Sequence, residues 1–143
     1  MIVGRTNMSE FAYSGLGLNP HYGTLHSPYH ADVPGDARIT SGPSSGAAAS
    51  VADGMAASAL GTDTGGSIRI PAAMCGLTGF KPTTGRIPKQ GGVPLSKTLD
   101  SFGPIGHTVA LLCAGRPHSR GTRTERARHA SARRRASASS HIT

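Results

Sequence analysis

The alternation of apolar and polar positions divides the chain into short elements separated by glycine-rich segments. Met1-Ile2-Val3-Gly4 is an apolar run ended by glycine, and it predicts a short buried strand. Thr6-Asn7 offers N-cap oxygens to a short helix that reaches Tyr13. Residues 15–43 are rich in Gly, Pro, His and Asn and show little periodicity, so they indicate a long irregular connection.

The middle of the chain carries a complete helix signal. Ser44 and Ser45 are two candidate N-caps, residues 47–53 are mostly small helix formers, and Gly54 is suited to end the helix. The apolar residues 55–60 extend this helix or form a buried strand, because periodicity alone does not separate these two structures.

Further along, helix and strand signals alternate. Residues 68–73 predict a second short helix, and residues 77–80 predict a strand that ends at Lys81-Pro82. Residues 84–106 hold more glycines and prolines and predict further loops. Alternation of strand, helix and loop favours an α/β fold.

The net charge of +8 over 143 residues is unevenly placed. Residues 1–110 carry seven basic and six acidic side chains, whereas residues 111–143 carry eight arginines and one glutamate. This C-terminal segment has too few large apolar residues to fold, and we expect it to be disordered. It lacks interleaved aromatic residues for base stacking, so an out-of-frame reading of a GC-rich gene explains it better than a specific nucleic-acid arm.

Composition also limits the setting of the protein. No apolar run is long enough to span a membrane, and the N-terminus does not have the pattern of a signal peptide. Cys75 and Cys113 form neither a disulfide framework nor a CxxC metal motif, so we expect a cytoplasmic protein. His21, His26 and His30 have irregular spacing and favour solvated loop side chains over metal ligands.

The glycine-rich stretch Gly61–Ser67 is the most informative segment for chemistry, because its backbone N–H groups are able to converge on one point. It lacks the GK[ST] ending of a phosphate loop. Gly42–Gly46 matches the G-x-S-x-G nucleophile elbow, but Pro43 and a poor preceding strand argue against it, and its only candidate partners are Asp100 and His107. A third interpretation joins the two serine-rich turns: one serine attacks a carbonyl and the glycine turn binds the oxyanion.

An ordered series of motifs extends over about residues 1–109. The motifs are Gly4–Phe11, Ser44-Ser45-Gly46, Ala47–Gly54, Leu60–Ala72, Cys75–Thr83 and Leu99–Pro104. Together they resemble the amidase signature enzymes, most closely bacterial amidases and allophanate-hydrolase-like members, and more distantly the glutamyl-tRNA amidotransferases.

The resemblance implies a fragment of the amidase signature fold, with a mixed β-sheet and flanking helices. Residues 1–110 are then a partial domain, and residues 111–143 are a basic tail. It also implies hydrolysis of the amide bond of a small molecule by a Ser–cis-Ser–Lys mechanism, with no metal and no cofactor. No nucleic-acid or membrane partner is implied.

Carried over by motif, the resemblance makes Ser67 the acylated nucleophile. Asp63 and Arg69 flank the turn, and we expect an ion pair between them. A simpler role for Ser67 is to cap the helix over residues 68–73. The oxyanion hole is formed by the N–H of Ser67 and by the turn before it, which consists of Thr64, Gly65 and Gly66.

Two departures from the family pattern bear on activity. An ungapped alignment puts Pro43 at the bridging-serine position, whereas a one-residue deletion puts Ser44 there, and we take Ser44 as the candidate bridging serine of the catalytic set. The catalytic lysine of the family lies upstream of the matching segment, and Lys81, Lys89 and Lys97 are not candidates for it. We therefore expect this chain alone to be inactive or nearly so. The alternative is a non-catalytic gene remnant whose tail binds polyanions nonspecifically.

Overall fold

A three-stranded antiparallel sheet organises the computed structural model, which describes residues 1–29, 32–35 and 37–114. Its strands are β1 (Ser58–Asp63), β2 (Thr78–Gly79) and β3 (Ser101–Gly106). β3 lies in the middle and pairs with β1 along its whole length. β2 pairs with β3 only at residues 105–106, so it is a short edge strand.

Helices flank this sheet. They are α1 (Ser45–Ala52), α2 (Arg69–Met74) and α3 (Val109–Ala114), with a single 3₁₀ turn at Glu10–Ala12. The small side chains of α1 let it approach the sheet closely. The buried cluster between helices and sheet consists of Ala47, Ala48, Ile68, Ala72, Cys75 and Ile105. This core fixes the ends of β1 and α2, between which the glycine turn lies.

A pair of glycines makes room for that core. Gly61 of β1 lies opposite Gly103 of β3. A Cβ atom on Gly61 would lie 2.8 Å from Ser44 Oγ and 3.0 Å from Ile68 Cγ1, and one on Gly103 would clash with the Phe80 carbonyl oxygen. Any side chain at these positions would therefore displace Ser44 and Ile68 or the backbone at Phe80.

Several predicted elements are confirmed. The helix predicted after Ser44 runs from Ser45 to Ala52, and Gly54 follows it with a φ of 71°. The undecided segment 55–60 ends in β1 rather than in more helix. Helix α2 and strand β2 also lie where the sequence predicts them, and the α/β fold class is confirmed.

Two predictions are wrong. Residues 1–4 form no strand, and Met1, Ile2 and Val3 are exposed. Residues 101–106, predicted as loop, form the central strand. Pro104 fits in this central strand because its carbonyl faces away from β1 and accepts from the Phe80 N–H. In an antiparallel strand the nitrogen and the carbonyl of one residue face the same side. The proline nitrogen, which has no N–H to donate, therefore does not interrupt the pairing with β1.

The irregular connection over residues 15–43 is tied down by hydrogen bonds. The Asn19 amide donates to Asn7 Oδ1 and to the Met8 carbonyl, and its Oδ1 accepts the N–H groups of residues 21 and 22. Ser41 Oγ donates to the Gly15 carbonyl at 2.8 Å. These bonds hold the segment before α1 against the N-terminal residues.

The predicted domain boundary at residue 110 falls inside α3, whose Leu112 is buried. Residues 111–114 are therefore helical rather than disordered. The rest of the predicted basic tail, residues 115–143, and His30 lie outside the described residues. Within the described ranges, no helix is long and apolar enough to cross a membrane, and no group of three or more His, Cys, Asp or Glu converges.

Candidate active site

The glycine turn, residues 64–67, connects the end of β1 to the start of α2. Gly66 has a φ of 149°, and its carbonyl accepts from the Ile70 N–H at 2.8 Å. The N–H groups of Thr64, Gly65, Gly66 and Ser67 donate to no acceptor among the described residues. Four consecutive unpaired N–H groups in a partly exposed turn can bind an anion or a developing negative charge.

Ser67 ends this turn and has only 7% of its surface exposed. Its hydroxyl makes no hydrogen bond within the described part of the chain. The N-cap position of α2 is occupied by Ile68, and no side chain caps the helix. The helix-capping role considered for Ser67 is therefore wrong.

Asp63 anchors the turn from the core side and is fully buried. Its Oδ2 accepts from the Ile68 N–H at 3.2 Å and from Arg69 Nε at 3.0 Å, while Oδ1 accepts from Arg69 Nη2 at 3.1 Å. The ion pair expected between Asp63 and Arg69 is thus present. Burial raises the pKa of Asp63, but the bonds from Arg69 and Ile68 and the charges of Arg69 and Lys81 outweigh it and hold this pKa below its ordinary value.

Lys81 holds the other side of the same turn. Its ammonium donates to the backbone carbonyls of Asp63, Thr64 and Leu99 and lies 3.5 Å from Asp63 Oδ1. These contacts join β1, the segment after β2 and the segment before β3. The Lys81 side chain therefore ties three backbone segments together, and it makes no contact with Ser67 in the described part of the chain.

Asp100 is the site residue whose contacts sequence reasoning missed. Its Oδ1 accepts from the Thr64 hydroxyl, and its Oδ2 accepts from the N–H groups of Leu95 and Ser96 at 2.9 Å each. Burial raises the pKa of Asp100, but these three bonds and the charge of Lys89 lower it below its ordinary value. Its place in the Leu99–Pro104 motif was the available signal for a role beside the turn.

Ser44 lies against the backbone of β1. Its Oγ donates to the Thr62 carbonyl and accepts from the Thr62 N–H, both at 3.2 Å. Because β1 is an edge strand, these backbone groups have no strand partner, and Ser44 satisfies them. The Ser44 N–H donates to the Ser67 carbonyl at 3.2 Å, so the two serine-rich turns are in contact.

The nucleophile elbow finds no support in this arrangement. No strand leads into Ser44, since residues 42–44 are bend and turn. His107 Nε2 pairs with the Val51 carbonyl at 2.9 Å, and Asp100 is bonded to Thr64. The elbow and its proposed partners are therefore not assembled.

Comparisons with known proteins relate the chain to one family of enzymes. The family model described as Amidase matches residues 1–114. The 2-amino-5-chloromuconic acid deaminase of Comamonas testosteroni is 48% identical over 112 residues, which are 78% of this chain and 24% of that protein. The chain therefore spans about a quarter of the length of this curated relative.

Two solved structures are similar in backbone as well as in sequence. The native peptide amidase of Stenotrophomonas maltophilia has a TM-score of 0.68 and 38% identity, over 78% of this chain and 23% of that one. A bacterial aryl acylamidase of the amidase signature family has a TM-score of 0.64 and 36% identity, over 77% of this chain and 22% of that one.

Proposed function

Since the chain belongs to the amidase signature family, we propose that it carries the nucleophile and the oxyanion-binding turn of an enzyme that hydrolyses amide C–N bonds. The substrate is a small-molecule amide. Two free cysteines support a reducing, cytoplasmic setting.

One observation carries this proposal: the partner-free hydroxyl of Ser67 ends a turn of four unpaired N–H groups in the described part of the chain. In the reaction, Ser67 Oγ attacks the amide carbonyl carbon, its proton passes to a base, and the carbonyl oxygen becomes an oxyanion facing those N–H groups. Collapse of the tetrahedral intermediate breaks the C–N bond, and the amine leaves with a proton. Water then hydrolyses the acyl-serine and returns the proton to Ser67.

The contacts around the turn support its role as a rigid oxyanion hole. Asp63 accepts hydrogen bonds from the Ile68 N–H and from the Arg69 side chain, which follow the turn. Lys81 donates to the Asp63 carbonyl, which precedes the turn, and Asp100 accepts from the Thr64 hydroxyl. Donors that are held in place before the reaction need no reorganisation when charge develops, which is where electrostatic catalysis gains its effect.

The groups that would pass the proton of Ser67 to a base are bonded elsewhere in this chain. The Ser44 hydroxyl is engaged with both backbone groups of Thr62, which supports the interpretation that Pro43 occupies the bridging position. Of the three lysines, Lys81 is bound to carbonyls and Lys89 donates to the Lys97 carbonyl at 3.0 Å. Since no lysine among the described residues contacts Ser67, we propose that the isolated chain acylates slowly.

Covalent labelling tests the proposal. The purified full chain is incubated with a fluorophosphonate and with an activated ester, and the modified residue is identified by peptide mass spectrometry. We expect slow labelling at Ser67 that is absent in Ser67→Ala and unchanged in Ser58→Ala, whose serine is exposed on β1. Equal labelling of the parent and Ser67→Ala, or no labelling of either, would overturn the proposal.

A further inference from the structure

A cleft of about 710 Å³ lies between the N-terminal residues and the start of the irregular connection, and its volume is within the range of small-molecule sites. Its walls come from side chains within residues 6–11 and 19–22, and we call it the Glu10 cleft. No residue of the glycine turn lines it. Its chemistry is therefore separate from that of the candidate active site.

The wall of the Glu10 cleft carries a negative charge. Glu10 is exposed, and its carboxylate makes no hydrogen bond and no ion pair with any residue that the structure describes. No lysine or arginine is among the described residues that line the cleft. His21 also lines it, and histidine side chains are neutral at about pH 8. In a chain with a net charge of +8, this wall is thus a local site of attraction for cations.

Two aromatic rings line the same cleft. Phe11 and Tyr22 have 73% and 84% of their surface exposed. The face of an aromatic ring attracts a cation, and proteins recognise quaternary ammonium groups with such rings. Phe11 has a left-handed backbone with a φ of 54°, and disfavoured conformations of this kind cluster at ligand-binding sites. The rings and the carboxylate together indicate a site for an organic cation.

Hydrogen bonds hold the two walls of the Glu10 cleft together. The side-chain amide of Asn19, which is buried, donates to Asn7 Oδ1 at 3.0 Å and to the Met8 carbonyl at 2.8 Å. Its Oδ1 accepts the N–H groups of residues 21 and 22 at 2.9 Å each. The Asn7 amide in turn donates to the Gly23 carbonyl at 2.8 Å. A ligand therefore meets a backbone that is already ordered, which lowers the entropic cost of binding.

An inorganic cation fits the Glu10 cleft less well than an organic one. A metal ion needs several oxygen, nitrogen or sulfur ligands, and no group of three or more His, Cys, Asp or Glu converges in the described ranges. An alkylammonium ion needs one counter-charge and apolar or aromatic walls, to which Met8 also contributes.

We propose that the Glu10 cleft binds a small quaternary ammonium ion, whose charge is balanced by Glu10 and whose methyl groups contact the rings of Phe11 and Tyr22. This site goes beyond the proposed function. It requires neither Ser67 nor the glycine turn, so the result of Ser67 labelling does not affect it.

Two probes of the same shape test the role of charge. Choline and its uncharged isostere 3,3-dimethylbutan-1-ol are titrated into the full chain at about pH 8, where histidine is neutral, and binding is followed through NMR signals of the Phe and Tyr rings. We expect choline to bind at least about fivefold more tightly than the alcohol, because only choline gains the ion pair and the cation–π contacts. Equal affinity for the two probes, or no binding of choline, would overturn the proposal.

Variants then locate the site. Glu10→Gln keeps the size of the side chain, and Tyr22→Leu keeps an apolar side chain; each is expected to weaken choline binding about threefold and to leave binding of the alcohol unchanged. Loss of structure would weaken the binding of both probes, so this difference separates recognition from folding.

Matched controls change the same groups outside the Glu10 cleft. Asp53→Asn removes one exposed carboxylate, as Glu10→Gln does, and Tyr13→Leu removes a ring that is 83% exposed. Both are expected to bind choline like the parent chain. A loss of affinity in Asp53→Asn as large as that in Glu10→Gln would reduce the effect to net charge and overturn the assignment of the site.

Discussion

The ammonium of Lys81 is bonded to the backbone oxygen of Asp63 and lies 3.5 Å from the carboxylate of the same residue. One lysine thus holds both the backbone carbonyl and the buried carboxylate of the residue that precedes the glycine turn. Asp63 also binds Arg69, so two cations share a single buried carboxylate. The turn therefore depends on this cluster for its shape.

Lys81→Met is expected to lower the free energy of unfolding by about 2 kcal/mol, because it removes hydrogen bonds made by a charged group. Urea unfolding followed by circular dichroism measures the loss. Lys97→Met is the matched control, since its side chain is exposed and has no polar partner in the described residues. Equal stability of the two variants would contradict the structural role of Lys81.

The buried carboxylate of Asp63 predicts a specific loss of stability in acid. Its pKa lies below the ordinary value in the folded chain, so its contribution is complete above about pH 4 and is lost as the pH falls through the folded pKa. Asp63→Asn is expected to be less stable at pH 7 and to lose less stability between pH 7 and acid. Unfolding series at several pH values test this.

The exposed Asp53→Asn serves as the control for that series and is expected to keep the parent's pH dependence. If Asp63→Asn follows the same curve as the parent protein, the Asp63 cluster is not the source of the acid sensitivity.

Ser44→Ala is expected to cost about 1–3 kcal/mol of stability, because it leaves the outward N–H and carbonyl of Thr62 without their partner. Ser50→Ala is the control, since the Ser50 hydroxyl makes only a local bond to the Ala47 carbonyl in α1. A Ser44→Ala variant with full stability but no Ser67 labelling would instead identify Ser44 as the relay serine.

Pro43→Ser tests whether position 43 is the bridging position of the proton relay. If Pro43 occupies the bridging position, a hydroxyl introduced there hydrogen-bonds to Ser67 and assists loss of its proton, so labelling of Ser67 should accelerate several-fold. Pro88→Ser, a change at an exposed loop proline, is expected to leave the labelling rate unchanged. An unaltered rate in folded Pro43→Ser would exclude Pro43 from that position.

The two thiols offer a direct measure of folding. Burial raises the pKa of the Cys75 thiol, whereas Cys113 is exposed on α3. A thiol-reactive disulfide is expected to modify Cys113 at once and Cys75 only when urea unfolds the chain. Simultaneous modification of both thiols without urea would show that the core around Cys75 is not formed.

Much of the fold was readable from local signals. The serine–alanine run before Gly54 specified α1, because small helix formers and a terminal glycine agree on the same boundaries. The same motifs carried the family resemblance and the Asp63–Arg69 pair. Local signals failed where strand pairing determines the secondary structure. The glycines and the proline of β3 are typical of a loop, and this segment is a strand because it pairs with β1 and β2.

The sequence by itself determined helices α1 and α2, the short strand β2, the position of the glycine turn and the separation of a nearly neutral body from a basic tail. Only the tertiary structure decided what each polar side chain does, because those bonds join residues far apart in the chain. Ser44 spans 18 residues to satisfy Thr62, and Asp100 spans 36 to hold Thr64. Such contacts depend on how the strands pack, and no local pattern encodes that packing.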